Sequence, residues 1–288
     1  MMVVALNNLT PEQARTYSLV LWSIGIEHEL TGSHHDQTLW VHALDMDTAL
    51  INIQAYIEEN SDESVPSSPE ETGLHPSVSG VWGAVFLFVW HMAFAVNGDP
   101  NAFVSMCGSV ADRILAGEWY RCVTSLFIHA DALHLIGNMV GIAVMGSAVC
   151  AFAGWGMGWL LILLTGFSGN LLNAVCYQTA HNSIGASTAV FGALGLVCAH
   201  QFVKEIRRSG FGFRALVPFS AGLALLGFMS SGIRVDITAH LLGFLCGGLT
   251  GGVLEWKMSR PLPTGFQCIC LITCFLIILA AWVNVPGI

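Results

Sequence analysis

The chain has 288 residues; 54% are hydrophobic, only 10% are charged, and the formal net charge is −9. A soluble domain carries about 25% charged residues, so a pair of soluble domains is excluded. The acidic balance excludes a nucleic-acid binder, which needs a basic footprint. A polytopic helical membrane protein with an acidic soluble part remains.

Residues 1–80 hold twelve of the nineteen acids and a single base, Arg15, whereas residues 81–288 hold nine bases and seven acids. The expected division is a soluble α+β head over 1–60, a flexible linker over 61–80 and a membrane unit over 81–288. Met1 to Thr10 lacks the basic n-region and apolar core of a secretory signal. Thr10 then caps a helix over Pro11–Ile26, with Pro11 at its first position and Leu19, Leu21, Ile24 and Ile26 on its apolar side. Glu27–Ser33 and Thr38–Ala43 read as a hairpin across His34 to Gln37. A second helix follows from Asp45 or Asp47 to about Asn60, giving an α-β-β-α order. His34, His35 and Asp36 read as a polar turn, because no further ligand pair sits at metal-binding spacing. Ser, Pro and Glu dominate Ser61 to Gly80, the composition of a tether.

A membrane helix needs about 20 largely apolar residues. Seven runs qualify: Val81–Val96, Ala132–Phe152, Gly156–Tyr177, Ser187–Val203, Ala215–Ser230, Ile237–Leu254 and Gly265–Val283, the first and fifth being short. Lys204, Arg207, Arg208 and Arg214 lie in one loop, and Lys257 and Arg260 in another on the same side. The positive-inside rule makes that side cytoplasmic. The head then lies in the cytoplasm, and the long loop Asn97–Asp131 outside. Seven of the nine Cys lie in apolar runs, Cys107 and Cys122 read as free thiols, and no CxxC occurs. No metal site and no cofactor are expected.

Polar groups inside spans are functional hypotheses by default. His134 and Asn138 stand one turn apart on one face of the second span. Ser187 opens the fourth span, and His240 lies one turn into the sixth. All four fall at similar depth near the outer face. Gly192 and Gly195 below Ser187, and Ala239, Gly243, Gly247 and Gly251 around His240, let the two spans approach closely. Ser187 and His240 then make a nucleophile–base pair, with His134, Asn138 and the Ser187 N–H as oxyanion donors. No span carries an Asp or Glu to orient the base, so the pattern permits a dyad. Taken singly, each residue has a plainer reading. A Ser at a helix start is most often an N-cap, and a lone His or Asn in a span bonds a neighbouring helix. His91 and His200 are read in that way.

These residues carry a resemblance. The region from Val81 to Val283 resembles the rhomboid intramembrane serine proteases, with four motifs in the family's order. They are Glu118-Trp119-Tyr120-Arg121 in the outer loop, His129 with His134 and Asn138, Gly185-Ala186-Ser187 followed by Ala189-Val190-Phe191-Gly192, and Ala239-His240 with Gly243 and Gly247. The resemblance implies an all-α bundle of six core spans plus a seventh. It implies Ser187 as nucleophile, His240 as base, His134 and Asn138 as oxyanion stabilisers, and structural roles for Trp119, Arg121, His129, Gly185, Gly243 and Gly247. Thr188 departs from the family pattern, which has Gly after the nucleophile. The head is similar to compact modules that precede some bacterial membrane proteases.

The implied localisation is a cell inner membrane, with membrane-spanning proteins as substrates, the bilayer as surroundings, no nucleic acid, and the acidic head as a surface for a regulator. Absence of HExxH leaves a zinc protease unsupported, and absence of Asp in the spans does the same for an aspartyl dyad. The alternative is a non-catalytic rhomboid-like protein that binds or escorts membrane helices. A transporter with His134, Asn138 and His240 as a proton path fits less well, because these groups cluster at one face.

Overall fold

The computed structural model describes residues 1–33, 36–61, 77–95, 100–179, 181–230, 235–257 and 262–287. It packs as two units, Met1–Glu70 and Glu71–Ile288. Most of the expected linker, His34 and His35 of the hairpin turn, and most of the turn before Asp236 lie outside the described residues.

The head consists of β1 (Met2–Leu9), α1 (Pro11–Ser23), β2 (His28–Ser33), β3 (Asp36–His42) and α2 (Met46–Ser61). Strand β1 is an addition to the α-β-β-α order expected from sequence. It pairs antiparallel with β3, as β2 does, so the sheet order is β1-β3-β2. Leu39 and Val41 of the central strand are fully buried with Leu21, Ala49 and Ile53. Thr10 closes a capping box: the Gln13 N–H donates to Thr10 Oγ1 at 3.2 Å, and the Thr10 N–H donates to Gln13 Oε1 at 3.0 Å. Helix α1 stops at Ser23 rather than Ile26, because the chain turns at Gly25 with φ +74°. Leu21 and Ile26 are buried, whereas Leu19 and Ile24 face out.

The second unit is helical. It runs through α3 (Ser79–Ala95), α4 (Pro100–Cys107), α5 (Ala111–Leu115), α6 (Arg121–Thr124), α7 (Ala132–Gly141), α8 (Ser147–Ala153), α9 (Trp155–Tyr177), α10 (Ser187–Ser209), α11 (Phe213–Met229), α12 (Ile237–Lys257) and α13 (Thr264–Val283). A π turn over Ile142–Gly146 joins α7 to α8. Among the described residues, five stretches are long and apolar enough to cross a membrane: Ala132–Ala153, α9, α10, α12 and α13. Helices α3 and α11 are apolar but shorter, at 17 residues each, or about 25 Å at ~1.5 Å per residue. These elements correspond to the seven runs read from the sequence. The fold is a multi-pass helical membrane bundle with a small α+β head. The loop expected over Asn97–Asp131 holds the short helices α4, α5 and α6. Strand β4 (Ser109–Val110) ties it to β5 (Asn182–Ser183), just ahead of Ser187. Cys107 and Cys122 are free and buried; burial pushes their thiols up to about 11 and about 12.

One polar side chain of α13 holds the turn between α8 and α9. Gln267 is 3% exposed. Its Oε1 accepts the N–H groups of Gly156 and Met157, both at 2.8 Å, and its Nε2 donates to the Ala153 carbonyl at 3.0 Å. The first N–H groups of a helix have no partner within it, and the buried Gly156 N–H must find one elsewhere. A Gln267→Leu substitution strands all three groups, each at a cost of ~1–3 kcal/mol. A fall of several degrees in the thermal midpoint of the detergent-solubilised protein is expected, and an unchanged midpoint would refute the capping role.

Candidate active site

Helices α10 and α12 start at the same end of the bundle and run parallel, in contact every fourth residue. A Cβ built on Gly243 would strike the Thr188 carbonyl, and one on Gly247 would strike the Gly192 carbonyl. A Cβ on Gly251 would come within 3.1 Å of the Leu196 Cα. Further along, His200 Nδ1 bonds Glu255 Oε1 at 2.8 Å. All four contacts share an offset of 55 residues. Carried one turn back, this register sets the first turn of α10, with Ser187, beside the first turn of α12, with His240. The small-residue stripe read from the sequence is thus the contact face itself. Thr188 lies in the same seam: its Cγ2 sits 2.6 Å from where a Gly169 Cβ would be and 3.2 Å from a Gly243 Cβ. The room for a side chain after Ser187 comes from those two glycines.

The chain reaches Ser187 through Gly185, whose φ of +113° favours glycine. A Cβ there would lie 2.6 Å from His134 Cε1 and Nε2, and 3.5 Å from Asn138 Nδ2. The turn therefore passes directly over the two polar residues of the second span. Ala186 is the cap residue and Ser187 the first helical residue, with no side-chain cap bond, so the N-cap reading of Ser187 does not apply. Asn138 is 5% exposed and Ser187 half-buried. The Asn138 Nδ2 donates to the His134 carbonyl at 2.9 Å within its own helix. Asp131 caps that helix by accepting the His134 N–H at 2.8 Å. From the loop, His129 Nε2 accepts the Ala186 N–H at 3.4 Å. Burial, with His134 and His91 nearby, pushes His129 down to about 3, so the ring is neutral and able to accept.

His240 is 6% exposed, and its ring lies 4.4 Å from that of Phe191, centroid to centroid. Its Nδ1 bonds Ser230 Oγ at 2.8 Å, where α11 ends. With Nδ1 engaged, Nε2 is the ring nitrogen with no hydrogen bond among the described residues. Among the described residues, no hydrogen bond joins Ser187 to His240. Asp236 caps α12. Its Oδ1 accepts the Ala239 N–H at 3.0 Å, and its Oδ2 accepts from Asn173 Nδ2 at 2.8 Å and meets His181 Nε2 at 2.7 Å. Burial pushes the Asp236 carboxyl up, but the bonds from His181, Ala239 and Asn173 outweigh it, and the net shift is downward.

Arg121 organises the loop. Its Nε donates to Glu118 Oε2 at 2.6 Å, and one terminal nitrogen donates to the carbonyls of Ser105 at 2.9 Å and Gly108 at 3.1 Å. Bonds from Arg121 first, then from Tyr120 and Arg113, hold the Glu118 carboxyl below its usual range against burial. Trp119, by contrast, is 63% exposed. The structure thus gathers Ser187, His240, His134, Asn138, His129, Gly185 and Gly243 at one end of the bundle, with Gly247 a turn below in the seam, and sets Trp119 and Arg121 in the loop. Sequence reasoning missed Ser230, Asp236, Asn170 and Asn173. Asn170 is 2% exposed and donates to the Cys122 carbonyl at 3.0 Å and Ser125 Oγ at 3.1 Å, pinning the loop to α9. The rule that polar groups in spans have partners would have flagged both asparagines. Nothing periodic marks Ser230.

A Rhomboid domain model matches residues 116–257. Rhomboid-like protease 3 of Toxoplasma gondii is 36% identical over 190 residues, covering 61% of this chain and 68% of that protein. The rhomboid YdcA of Bacillus subtilis is 30% identical over 135 residues, 46% of this chain and 65% of that protein. Rhomboid-like protein 11, chloroplastic, of Arabidopsis thaliana is 30% identical over 159 residues, 49% of this chain and 53% of that protein. The chain therefore spans between half and two thirds of the length of these last two relatives.

Proposed function

The chain belongs to the rhomboid family, and on that premise we propose that it is an intramembrane serine protease. Its proposed substrates are membrane-spanning proteins, cut in or near their helices. One observation supports this reading: the register of the α10–α12 seam brings together the first turns of the two helices that carry Ser187 and His240, and the Gly185 turn ahead of Ser187 lies against His134 and Asn138. In the proposed reaction Ser187 Oγ attacks the scissile carbonyl carbon while His240 Nε2 takes its proton. The carbonyl oxygen becomes an oxyanion facing Asn138, His134 and the Ser187 N–H. His240 then protonates the leaving amine, and water cleaves the acyl-enzyme by the same steps.

The reading extends to organisation and topology. The head over 1–60, tether over 61–80 and protease unit over 81–288 agree with the separate packing of two units. The basic loops after α10 and α12 favour a cytoplasmic head and a site near the outer face of the inner membrane.

The test is labelling of the detergent-solubilised protein with a fluorophosphonate, with Ser187→Ala as control. Folded wild-type protein that takes no label would sink the protease reading and leave the non-catalytic binder. The oxyanion roles have their own signature. Asn138→Ala and His134→Ala are expected to lower kcat by about 10²–10³, with little change in KM, because the donors act in the transition state. A change confined to KM would assign both residues to substrate binding.

A further inference from the structure

We propose that the task one carboxylate performs in a Ser-His-Asp triad is divided here between two positioning residues: Ser230 orients the His240 ring, and Asp236 offsets the charge that forms on it. The inference rests on the protease reading above and adds to it the support of its base.

A base that takes a proton through Nε2 must keep its proton on Nδ1 and must not rotate. Ser230 Oγ lies 2.8 Å from Nδ1, and with the proton on Nδ1 the hydroxyl oxygen accepts the Nδ1–H hydrogen bond. The bond is shielded, since Ser230 is 3% and His240 6% exposed. The hydroxyl itself is held at the end of α11, where the Ser230 N–H bonds the Leu226 carbonyl at 2.9 Å. A neutral hydroxyl nevertheless cannot offset an imidazolium. His240 also stands in the first turn of α12, where the helix dipole presents its positive end and opposes a cation. The countering charge comes from Asp236, the residue that opens the same turn; its carbonyl accepts the His240 N–H at 3.2 Å. The carboxylate is fixed from three directions by Ala239, Asn173 and His181. Those bonds also hold it in the charged form. Neither residue does both tasks: Ser230 has no charge, and the Asp236 oxygens bond groups other than Nδ1.

The test compares wild type with Ser230→Ala, Ser230→Thr, Asp236→Asn and the Ser230→Ala/Asp236→Asn pair. Three readouts serve: the rate of fluorophosphonate labelling at Ser187, kcat and KM on a single-span substrate, and the thermal midpoint. Ser230→Ala is expected to lower kcat and labelling about tenfold, the scale of one hydrogen bond, with KM unchanged and Thr restoring the rate. Asn keeps the helix cap but not the charge, so Asp236→Asn is expected to cost about 10- to 30-fold in kcat. Separate tasks make the losses multiply, so the pair is expected to lose about 10²-fold or more. The division is overturned if either folded single variant keeps wild-type kcat, if the loss lies in KM, or if the pair is no worse than the worse single variant. Should Ser230→Ala fail to fold, Ser230→Cys keeps the volume with a weak acceptor and carries the same expectation. Wild-type protein that never labels overturns the protease reading itself, which separates the two failures.

Discussion

Ser187→Ala is expected to abolish cleavage of a single-span substrate, with a loss on the order of 10⁶-fold in kcat. His240→Ala is expected to lose about as much, and the double variant no more than either. In the proposed mechanism the two act as a unit. Without His240 the hydroxyl keeps its proton and is a weak nucleophile. Without Ser187 the imidazole has nothing to activate. Both changes remove atoms without adding any. Thermal midpoints near wild type are therefore expected, and they separate lost chemistry from lost fold. Turnover within tenfold of wild type in either folded variant would end the dyad assignment.

Gly247→Val is expected to be the most damaging change outside the reacting groups. The new side chain would meet the Gly192 carbonyl, with the Leu196 N–H 3.0 Å away. Backbone cannot turn aside as a side chain can, so α10 and α12 must part. Both spans begin at the reacting pair, and separation carries His240 away from Ser187. A misplacement of ~1 Å costs about 10²-fold in rate. Gly252 is the matched control, because it lies on the same helix with nothing within 4 Å of its Cβ position. Gly252→Val is expected to label normally with fluorophosphonate, whereas Gly247→Val loses at least ~100-fold. Equal rates would mean that the close seam does not set the catalytic geometry.

The spans were legible because burial in lipid leaves a one-dimensional signal: a long apolar run either exists or does not. The α10–α12 seam was legible because its glycines repeat every fourth residue. The capping box was fully legible: Thr10-Pro11-Glu12-Gln13 has the S/T-x-x-E/Q spacing, although the expected helix start rested on Thr10 and Pro11. Strand β1 escaped because its partner, β3, lies beyond an intervening helix and strand. The short helices before the second span escaped for a related reason. Bonds from Arg121 to distant carbonyls hold them in place, and four to eight residues of local propensity do not. Ser230 follows α11 and Asp236 precedes α12, each ordinary on its own. Their meaning comes from where the ends of α11 and α12 set them, which no spacing rule encodes.

The Gln267 cap has a consequence in time as well as in space. Gln267 is synthesised 111 residues after the Gly156 N–H it serves. At ~5–20 residues per second that interval is on the order of ten seconds. Through it, the start of α9 lacks the partner it finally takes. Helix α9 also carries Asn173, which grips Asp236, and Asn170, which pins the loop. A ribosome that halts before residue 267 therefore leaves a chain with both reacting groups but with an open joint beneath them. The span that carries Gln267 is made after both Ser187 and His240 and closes the start of α9, so the proposed site is complete in sequence before its support is complete in space.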